Sequence, residues 1–459
     1  MERKIAISKS QSLVNKDNSI GKKLFKITWP IYVELILFML LGTTDVFMLG
    51  RYSDNAVAGV GVVNQVIGMI TLVFEIITAG TTIICAQYIG AKKAKEDIIR
   101  LVGTSLMINV LLGAVLSIAL VVFSTQILNA MNIAPELMEY SKTYLSIVGG
   151  FLVVQALAMN FSAIIRSYGY TKISMFGTLG MNIINLVLNY ILIYGKFGAP
   201  ALGVAGSATG TVVSKIIGTI FIGYFMFKYV VKGFSLKYFK KFPKQEFKSI
   251  IKVGLPAAGE SMSYNMAKLV GTVILTYISV EALTVNTYIN NIAMFIYIFS
   301  AAIGQGTAIL VGQLVGKGDT ENAYKLCFAS LKKAFLVSTV MGVLVAILGR
   351  GILDFFSDNE AIIALGASVL LVNAFLEPGR TFNVVVISSL RASGDVKFPV
   401  YVGIVSMWVI GVGLAYLLSV PLGFGIVGMW IALALDEWVR GIIMYFRWKS
   451  RKWCGKALV

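Results

Sequence analysis

The sequence predicts an all-α integral membrane protein, and three properties of the chain support this fold class. Of its 459 residues, 57% are apolar and only 14% are charged, whereas about 25% of the residues in a soluble domain are charged. The mean hydropathy is +0.82. The apolar stretches are long enough for membrane helices, which need roughly 20 residues, rather than for the shorter strands of a barrel.

Twelve segments are long and apolar enough to cross a membrane. They are residues 27–49, 55–80, 98–123, 140–163, 173–194, 201–227, 249–279, 282–310, 329–349, 362–388, 398–420 and 424–446. This division predicts an N-terminal tail at 1–26, six-helix lobes at 27–227 and 249–446, a linker at 228–248, and a C-terminal tail at 447–459.

The basic residues predict which side of the membrane each loop faces. With a cytoplasmic N-terminus, 32 of the 40 lysines and arginines fall in cytoplasmic segments, and only Arg51, Lys142, Lys196 and Arg350 fall in outside loops. This positive-inside distribution predicts a multi-pass plasma-membrane protein with both termini in the cytoplasm. It also accounts for the net charge of +18 without a nucleic-acid partner. We expect a monomer in the lipid bilayer.

The residue types that are missing argue against several function classes. Histidine is absent, which removes the commonest metal ligand and any Ser-His or Cys-His catalytic pair. No GxxxxGK[ST] loop for ATP is present. We therefore expect neither an enzyme nor an ATP-driven pump, and no cofactor apart from a coupling ion.

The two halves of the chain repeat one pattern at an offset of 225 or 226 residues. The repeated motifs are Trp29-Pro30 and Leu255-Pro256, Gln87-Tyr-Ile-Gly90 and Gln313-Leu-Val-Gly316, and the basic loops Arg166–Lys172 and Arg391–Lys397. A glutamate follows each proline by four residues, at Glu34 and Glu260. Because each half contains six spans, the repeats are parallel and related by a pseudo-two-fold axis along the membrane normal.

Several segments resemble signatures of the multidrug and toxic compound extrusion (MATE) family. They are Asp45-Val-Phe-Met-Leu-Gly50, Asp54-Asn-Ala-Val-Ala-Gly59, Arg166-Ser-Tyr-Gly169, Asn185-Leu-Val-Leu-Asn189 and Leu390-Arg-Ala-Ser-Gly-Asp395. The resemblance covers residues from about 25 to 450. It implies a two-lobed, twelve-helix secondary antiporter that exports organic cations and drugs in exchange for H⁺ or Na⁺.

A first polar site is predicted around Asp45, a carboxylate within span 1. Asn185 and Asn189 lie four residues apart on span 5, so they share one helix face and need polar partners in the membrane. Oxygen ligands such as Asp45 and Asn185 suit Na⁺, and a buried carboxylate also suits H⁺. Asn160 and Thr209 complete the expected site.

The MATE resemblance implies the same role for these residues. In that family a first-helix aspartate and polar residues of the fifth helix form an ion-coupling site, which corresponds to Asp45, Asn185 and Asn189. Some members have an aspartate where Asn189 stands, so this chain has one titratable group fewer. The alternative is a hydrogen-bond network that only holds the lobe together.

A second site is predicted around Glu260, one turn after Pro256. The family carries an essential acid on its seventh helix, and the resemblance implies that role for Glu260. We expect Glu260 to bind a cationic substrate or couple the ion, and the alternative is a salt bridge with Lys268. The other substrate-binding candidates are its repeat partner Glu34, together with Tyr264, Asn265 and Asn290.

Four further acids within the spans receive no assigned role: Glu75, Glu377, Asp436 and Glu437. Glu377 and Arg380 are spaced for an intrahelical ion pair, and Glu437 and Arg440 are spaced likewise.

The sequence as a whole favours an exporter of organic cations. The alternative is a lipid or lipid-linked oligosaccharide flippase of the same superfamily. Such a flippase is expected to have a strongly basic central cavity, whereas acids outnumber cations within the spans of this chain.

Overall fold

The computed structural model describes residues 2–234 and 243–459, with side chains from residue 21 onward in the first stretch. Within these ranges the regular structure is helical. The α-helices are α1 Glu2–Gly50, α2 Asp54–Gly90, α3 Lys95–Val122, α4 Ser124–Ala130, α5 Pro135–Gly150, α6 Leu152–Ser167, α7 Thr171–Tyr194, α8 Val204–Phe225, α9 Lys244–Thr276, α10 Val280–Gly316, α11 Thr320–Asp354, α12 Glu360–Ala392, α13 Lys397–Ser406, α14 Ala415–Ser419 and α15 Gly425–Lys449.

Short π-helical segments and one bend join some of these helices into longer rods. Met226–Val230 extends α8, and Met407–Leu414 connects α13 to α14. α5 and α6 meet at a bend of 49°. With these connections every predicted span corresponds to a helical rod, so the predicted all-α membrane fold is confirmed.

Nine helices of the described ranges are long and apolar enough to cross a membrane, or ten with the bent pair α5 and α6. The two remaining rods are α9 and α15. They correspond to predicted spans 7 and 12, and charged residues lie within both, among them Glu260, Lys268 and Arg440. A membrane helix bears such charges where they face protein or a cavity rather than lipid.

Two compact units contain the described residues. The C-unit consists of Met1–Tyr32 and Gly259–Val459, and the N-unit consists of Val33–Ala258. Both boundaries fall inside a helix, α1 in one case and α9 in the other. The start of α1 therefore packs with the second half of the chain, and the start of α9 packs with the first half. The predicted linker 228–248 lies partly outside the described residues.

Glycines permit close helix packing at these exchanged segments. In the N-unit, a Cβ atom on Gly80 of α2 would overlap the backbone carbonyl of Ile250 of α9. In the C-unit, the repeat-equivalent Gly306 of α10 packs against the Thr28 side chain of α1. Small residues allow this approach, which supplies much of the attraction between helices in a membrane.

Large apolar side chains cover much of the outer surface. Leu111 and Ile118 of α3, and Leu336 and Ile347 of α11, are 63–72% exposed. A soluble protein rarely exposes so much apolar surface. The protein is therefore a multi-pass membrane protein whose helices present these faces to lipid.

Candidate functional site

Asp45 lies in the N-unit, where α1 packs beside α7 and α8. The residue is 8% exposed. Asn189 Nδ2 donates a hydrogen bond to Asp45 Oδ1 at 2.6 Å. Thr211 Oγ1 donates to the other oxygen, Oδ2, at 3.4 Å. The direct partners of this buried carboxylate are thus neutral amide and hydroxyl groups.

The two asparagines of α7 form one connected network with Asp45. Asn189 Nδ2 also donates to Asn185 Oδ1 at 3.2 Å, and Asn185 Nδ2 donates to Thr211 Oγ1 at 3.2 Å. Asn189 Oδ1 is buried without a hydrogen-bond partner. A side chain on Gly210 would overlap that oxygen, so this glycine makes room for the amide. The network therefore holds a spare acceptor oxygen beside the carboxylate.

Among the described hydrogen bonds, two residues expected at this site, Asn160 and Thr209, do not contact Asp45. Asn160 Nδ2 donates to Ser105 Oγ at 2.6 Å, and Ser105 in turn accepts from Thr81. Thr211, rather than Thr209, contacts Asp45. Two positions of an α-helix point about 200° apart, so only one of these threonines faces the carboxylate.

Lys215 is a further charged residue near Asp45. It lies on α8 one turn after Thr211, and the opposite charges of Lys215 and Asp45 attract each other. No direct ion pair joins the two among the described contacts. Lys215 therefore balances the charge of Asp45 from a distance and leaves its oxygens to the neutral donors.

Glu34 of α1 is fully buried in the N-unit and lies beside an arginine. Its Oε1 accepts hydrogen bonds from Ser174 Oγ at 2.7 Å and from Arg166 Nη1 at 3.4 Å. Its Oε2 has no hydrogen-bond partner. The carboxylate is thus neutralised by an arginine in the last turn of α6.

Glu260 of α9 has the equivalent partner in the C-unit. Its Oε2 accepts a hydrogen bond from Arg391 Nη2 at 2.5 Å, and the residue is 8% exposed. Its ion-pair partner is Arg391 rather than Lys268. Arg166 and Arg391 occupy equivalent positions of the sequence repeat, as do Glu34 and Glu260. The repeat therefore preserves an ion pair as well as a sequence pattern.

A cavity of about 70 Å³ lies in the C-unit between α9, α10 and α15. Tyr264 and Asn290, two of the predicted substrate-binding residues, contribute to its walls. Glu260 and Asn265 are not among the lining residues. Asn265 Nδ2 instead donates to the Ser261 carbonyl at 2.8 Å, within its own helix.

Charged residues of α12 and α15 form a cluster at this cavity. Arg380 Nη1 lies 2.6 Å from Glu377 Oε1, and its Nε lies 3.5 Å from Glu437 Oε1. Arg440 Nη2 lies 2.7 Å from Asp436 Oδ2 and 3.2 Å from Glu437 Oε1. Both ion pairs anticipated from spacing are present, and each arginine joins two acids.

A family model described as MatE matches residues 30–191 and 256–417. The chain belongs to this family. The two matched segments begin 226 residues apart, at positions 30 and 256. This is the offset of the sequence motifs, so the internal repeat is confirmed.

Relatives and solved structures agree with membership of the MatE family. A Bacillus subtilis protein described as the uncharacterized transporter YisQ is 42% identical over 455 residues, which are 99% of this chain and 100% of that protein. A Thermotoga maritima protein described as a probable multidrug resistance protein, NorM, is 28% identical over 447 residues, 96% of this chain and 94% of that one.

Two solved structures show the same fold at 20% identity. A MATE protein in a bent conformation gives a TM-score of 0.87 and covers 94% of this chain and 95% of its own. A MOP superfamily transporter from Pyrococcus furiosus gives a TM-score of 0.85 and covers 94% of this chain and 96% of its own. For that protein, a reverse polarity of the binding pocket is said to suggest a different function. This MatE protein therefore belongs to a family of membrane transporters rather than of enzymes.

The sequence did not predict that four residues of this MatE protein lie beside the buried acids: Thr211, Lys215, Arg166 and Arg391. A lysine within an apolar span was the available signal for Lys215. The signal for Arg166 and Arg391 was the repeated Arg-x-x-Gly motif, because the two arginines are separated by nearly the same number of residues as Glu34 and Glu260. Glu75 is partly buried in α2 and belongs to none of the described ion pairs.

Proposed function

We propose that this protein is a secondary antiporter of the plasma membrane that exports amphipathic organic cations in exchange for H⁺ or Na⁺, with both termini in the cytoplasm. The observation that carries the proposal is the environment of Asp45. Its carboxylate is buried in the membrane, and its direct partners are neutral donors. Such a group exchanges a small cation without first breaking a salt bridge.

Both coupling ions are compatible with the chemistry of this centre. A proton would bind one oxygen of Asp45 directly. Na⁺ would be bound by Asp45 together with oxygens of Asn185 and Asn189, and the unpartnered Asn189 Oδ1 supplies one of them. Among the described residues no three acids or cysteines are grouped to hold a metal ion. Neutral oxygens would therefore complete a Na⁺ site.

Substrate binding is proposed for the cavity of the C-unit. Tyr264 and Asn290 line it, and Met407, Met429 and Trp430 add adaptable apolar surface. Glu34 and Glu260 are neutralised by arginines. Either would bind a substrate cation only after its arginine moves aside.

The proposal is tested with purified protein in liposomes, with an imposed gradient of H⁺ or of Na⁺ and ethidium as the fluorescent substrate. We expect Asp45→Asn to reduce gradient-driven transport by roughly tenfold or more. A neutral amide no longer binds the coupling ion, so the ion gradient no longer shifts the protein between its conformational states. Asp54→Asn is the matched control, since Asp54 is an exposed acid at the start of α2.

Two outcomes would contradict the proposal. If Asp45→Asn transports like the wild type, Asp45 is not the coupling residue. If wild-type transport responds to neither gradient, the protein is not an H⁺ or Na⁺ antiporter. The gradient that drives transport identifies the ion.

A further inference from the structure

The segment that follows α15, residues 450–459, folds back onto the C-unit, and we call it the strap. The Trp453 ring stacks on Trp448 of α15, with the ring centroids 4.1 Å apart and an angle of 6° between the planes. Trp453 Nε1 donates a hydrogen bond to the Trp448 carbonyl at 3.0 Å. Trp453 is 1% exposed, although the strap forms turns rather than a helix. The strap is therefore packed as part of the C-unit.

Two ion pairs join the strap to other elements of the C-unit. Arg451 Nη2 lies 2.7 Å from Glu321 Oε2 at the start of α11, and both side chains are about half exposed. Lys456 Nζ lies 2.6 Å from Asp395 Oδ1, and the Asp395 side chain is 3% exposed. Exposed ion pairs contribute little stability. The contact with the buried Asp395 is therefore the stronger of the two.

Asp395 lies just after the end of α12, and cations hold both of its oxygens. Arg447 Nε of α15 donates to Oδ2 at 2.8 Å, and Lys456 Nζ of the strap donates to Oδ1. The neighbouring Gly394 has a φ of +95° and packs against the Lys456 carbonyl so closely that a Cβ atom would overlap it. The strap thus contacts the end of α12 through its backbone as well as through a charge.

The turn that contains Asp395 also carries Arg391. The Gly394 amide donates to the Arg391 carbonyl at 3.0 Å, and the Asp395 amide donates to the Leu390 carbonyl at 3.0 Å. Arg391 contacts Glu260 through Nη2, whereas its Nε is buried without a hydrogen-bond partner. Because Nε has no acceptor of its own, the position of the guanidinium group depends on the backbone turn that the strap holds.

The first half of the chain supports its equivalent ion pair in a different way. There, Ser174 Oγ donates a second hydrogen bond to the Glu34 carboxylate, at 2.7 Å. At the repeat offset of 225 residues, Pro399 occupies the position of Ser174, and a proline side chain has no donor. At the same offset Asp395 occupies the position of Tyr170. The second half therefore has the anchored acid in place of the hydroxyl donor.

We propose that the strap is a positioning device: by holding Asp395, it keeps Arg391 on Glu260 and so closes this carboxylate to a substrate cation. The inference rests on the proposed export of organic cations and concerns the regulation of that activity. When the strap is released, Arg391 spends part of the time away from Glu260. The apparent affinity for a cation then rises with the fraction of open carboxylate. Asp395 and Lys456 act through Arg391 and are positioning residues.

The test measures the KM and the maximal rate of ethidium transport in liposomes for the wild type, Lys456→Gln, Lys456→Arg and Lys452→Gln. Lys452 is the matched control, because it is an exposed lysine of the strap and belongs to none of the ion pairs of the described residues. We expect Lys456→Gln to lower the KM by about threefold, because Glu260 is open more often. Lys456→Arg keeps the charge, so it and Lys452→Gln should retain the wild-type KM.

A second substitution at Glu260 shows whether the strap acts through this carboxylate. In Lys456→Gln combined with Glu260→Gln, the KM should equal that of Glu260→Gln alone. Asp395→Asn should behave like Lys456→Gln, and a size-exclusion profile verifies folding. If Asp395→Asn does not fold, Lys456→Gln still decides, since the Lys456 side chain is 38% exposed. An unchanged KM in folded Lys456→Gln, or the same decrease with Glu260→Gln present, would overturn the inference.

Chemical labelling separates this inference from the proposed function. A hydrophobic carbodiimide reacts with accessible carboxyl groups, and peptide mass spectrometry measures the labelled fraction of Glu260. We expect about threefold faster labelling of Glu260 in Lys456→Gln than in the wild type, and no change in Lys452→Gln. If the wild type transports no ethidium under either gradient, the proposed function fails, and the labelling still decides whether the strap keeps Arg391 on Glu260. Equal labelling in Lys456→Gln and the wild type would show that it does not.

Discussion

The acids buried in the two units differ in what surrounds them. Asp45 in the N-unit accepts hydrogen bonds from an amide and a hydroxyl group. Asp436 and Glu437 in the C-unit contact guanidinium groups at 2.7–3.5 Å. A carboxylate held by neutral donors can gain or lose a cation at small cost, whereas removal of one partner from a buried ion pair is expensive. The first arrangement therefore suits ion exchange, and the second suits a permanent charge pattern.

The two halves also have a charged contact in common outside these polar centres. Glu34 with Arg166 and Glu260 with Arg391 are repeat-equivalent ion pairs. Each ties the first helix of its half to the last turn of the helix that forms the fourth span, α6 or α12. One frame thus carries two different centres, and variants placed at equivalent positions test each part of the comparison.

The largest expected effect comes from Arg440→Gln in the C-unit. Arg440 is 5% exposed and bonds Asp436 and Glu437. Its removal leaves buried carboxylates short of one charge partner, which costs roughly 3–5 kcal/mol. We expect most of the variant to be lost as aggregate when detergent extracts are heated, as measured by size-exclusion chromatography after a temperature series.

Asp45→Asn is the matched comparison, because the amide oxygen still accepts from Asn189 while the Thr211 hydroxyl can turn to accept from the amide nitrogen. We therefore expect a loss of about 1 kcal/mol or less. The double variant Arg440→Gln with Glu437→Gln should recover part of the lost stability. Equal thermal stability of Arg440→Gln and Asp45→Asn would show that the two centres are held in the same way.

The fold could be predicted from the sequence because a membrane imposes a simple rule. Every span needs roughly 20 apolar residues, so hydropathy identified the rods from 27–49 to 424–446 without any knowledge of contacts. The repeat of Trp29-Pro30 at Leu255-Pro256 then gave the division into halves. The exchange of the first turns of α1 and α9 between units could not be predicted, because it depends on packing between distant segments.

The candidate site could be predicted only where neighbours lie on one helix. Asn185 and Asn189 share a face by their spacing, and the structure brings both to Asp45. Thr209 was expected where Thr211 lies, because sequence does not fix how α8 is rotated. Arg391, the partner of Glu260, lies 131 positions further along the chain. No local periodicity points to such a partner.

A smaller effect is expected at the repeat-equivalent glycines Gly80 and Gly306. A methyl group on Gly80 meets the backbone of Ile250, which cannot move away, so Gly80→Ala should cost about 1–3 kcal/mol. A methyl group on Gly306 meets the Thr28 hydroxyl, which has no hydrogen-bond partner to lose and can rotate. We therefore expect Gly306→Ala to cost less.

Thermal unfolding of both alanine variants in detergent, followed by tryptophan fluorescence, measures this difference. Gly61→Ala is the control, since nothing lies within contact distance of a Cβ atom there. If Gly306→Ala is the more damaging of the two, the start of α1 is held more rigidly in the C-unit than the start of α9 is in the N-unit.

The smallest effect is expected from Glu34→Gln and Glu260→Gln. The side chains of Arg166 and Arg391 are 21% and 25% exposed, so each arginine can be hydrated after its carboxylate is neutralised. Each variant should lose less stability than Arg440→Gln, and the two losses should be similar because the pairs are equivalent. The KM for ethidium should stay within about twofold of the wild type, because carboxylates occupied by arginine bind little substrate.

The exposed Glu136→Gln serves as the control for these two variants. A raised KM in Glu260→Gln alone would show that Arg391 leaves Glu260 during transport and that this carboxylate binds the substrate cation. Such a result would show that the two halves differ in function at their equivalent ion pairs as well as at their polar centres. Arg391→Gln would then lower the KM for ethidium, because it frees the same carboxylate in every state.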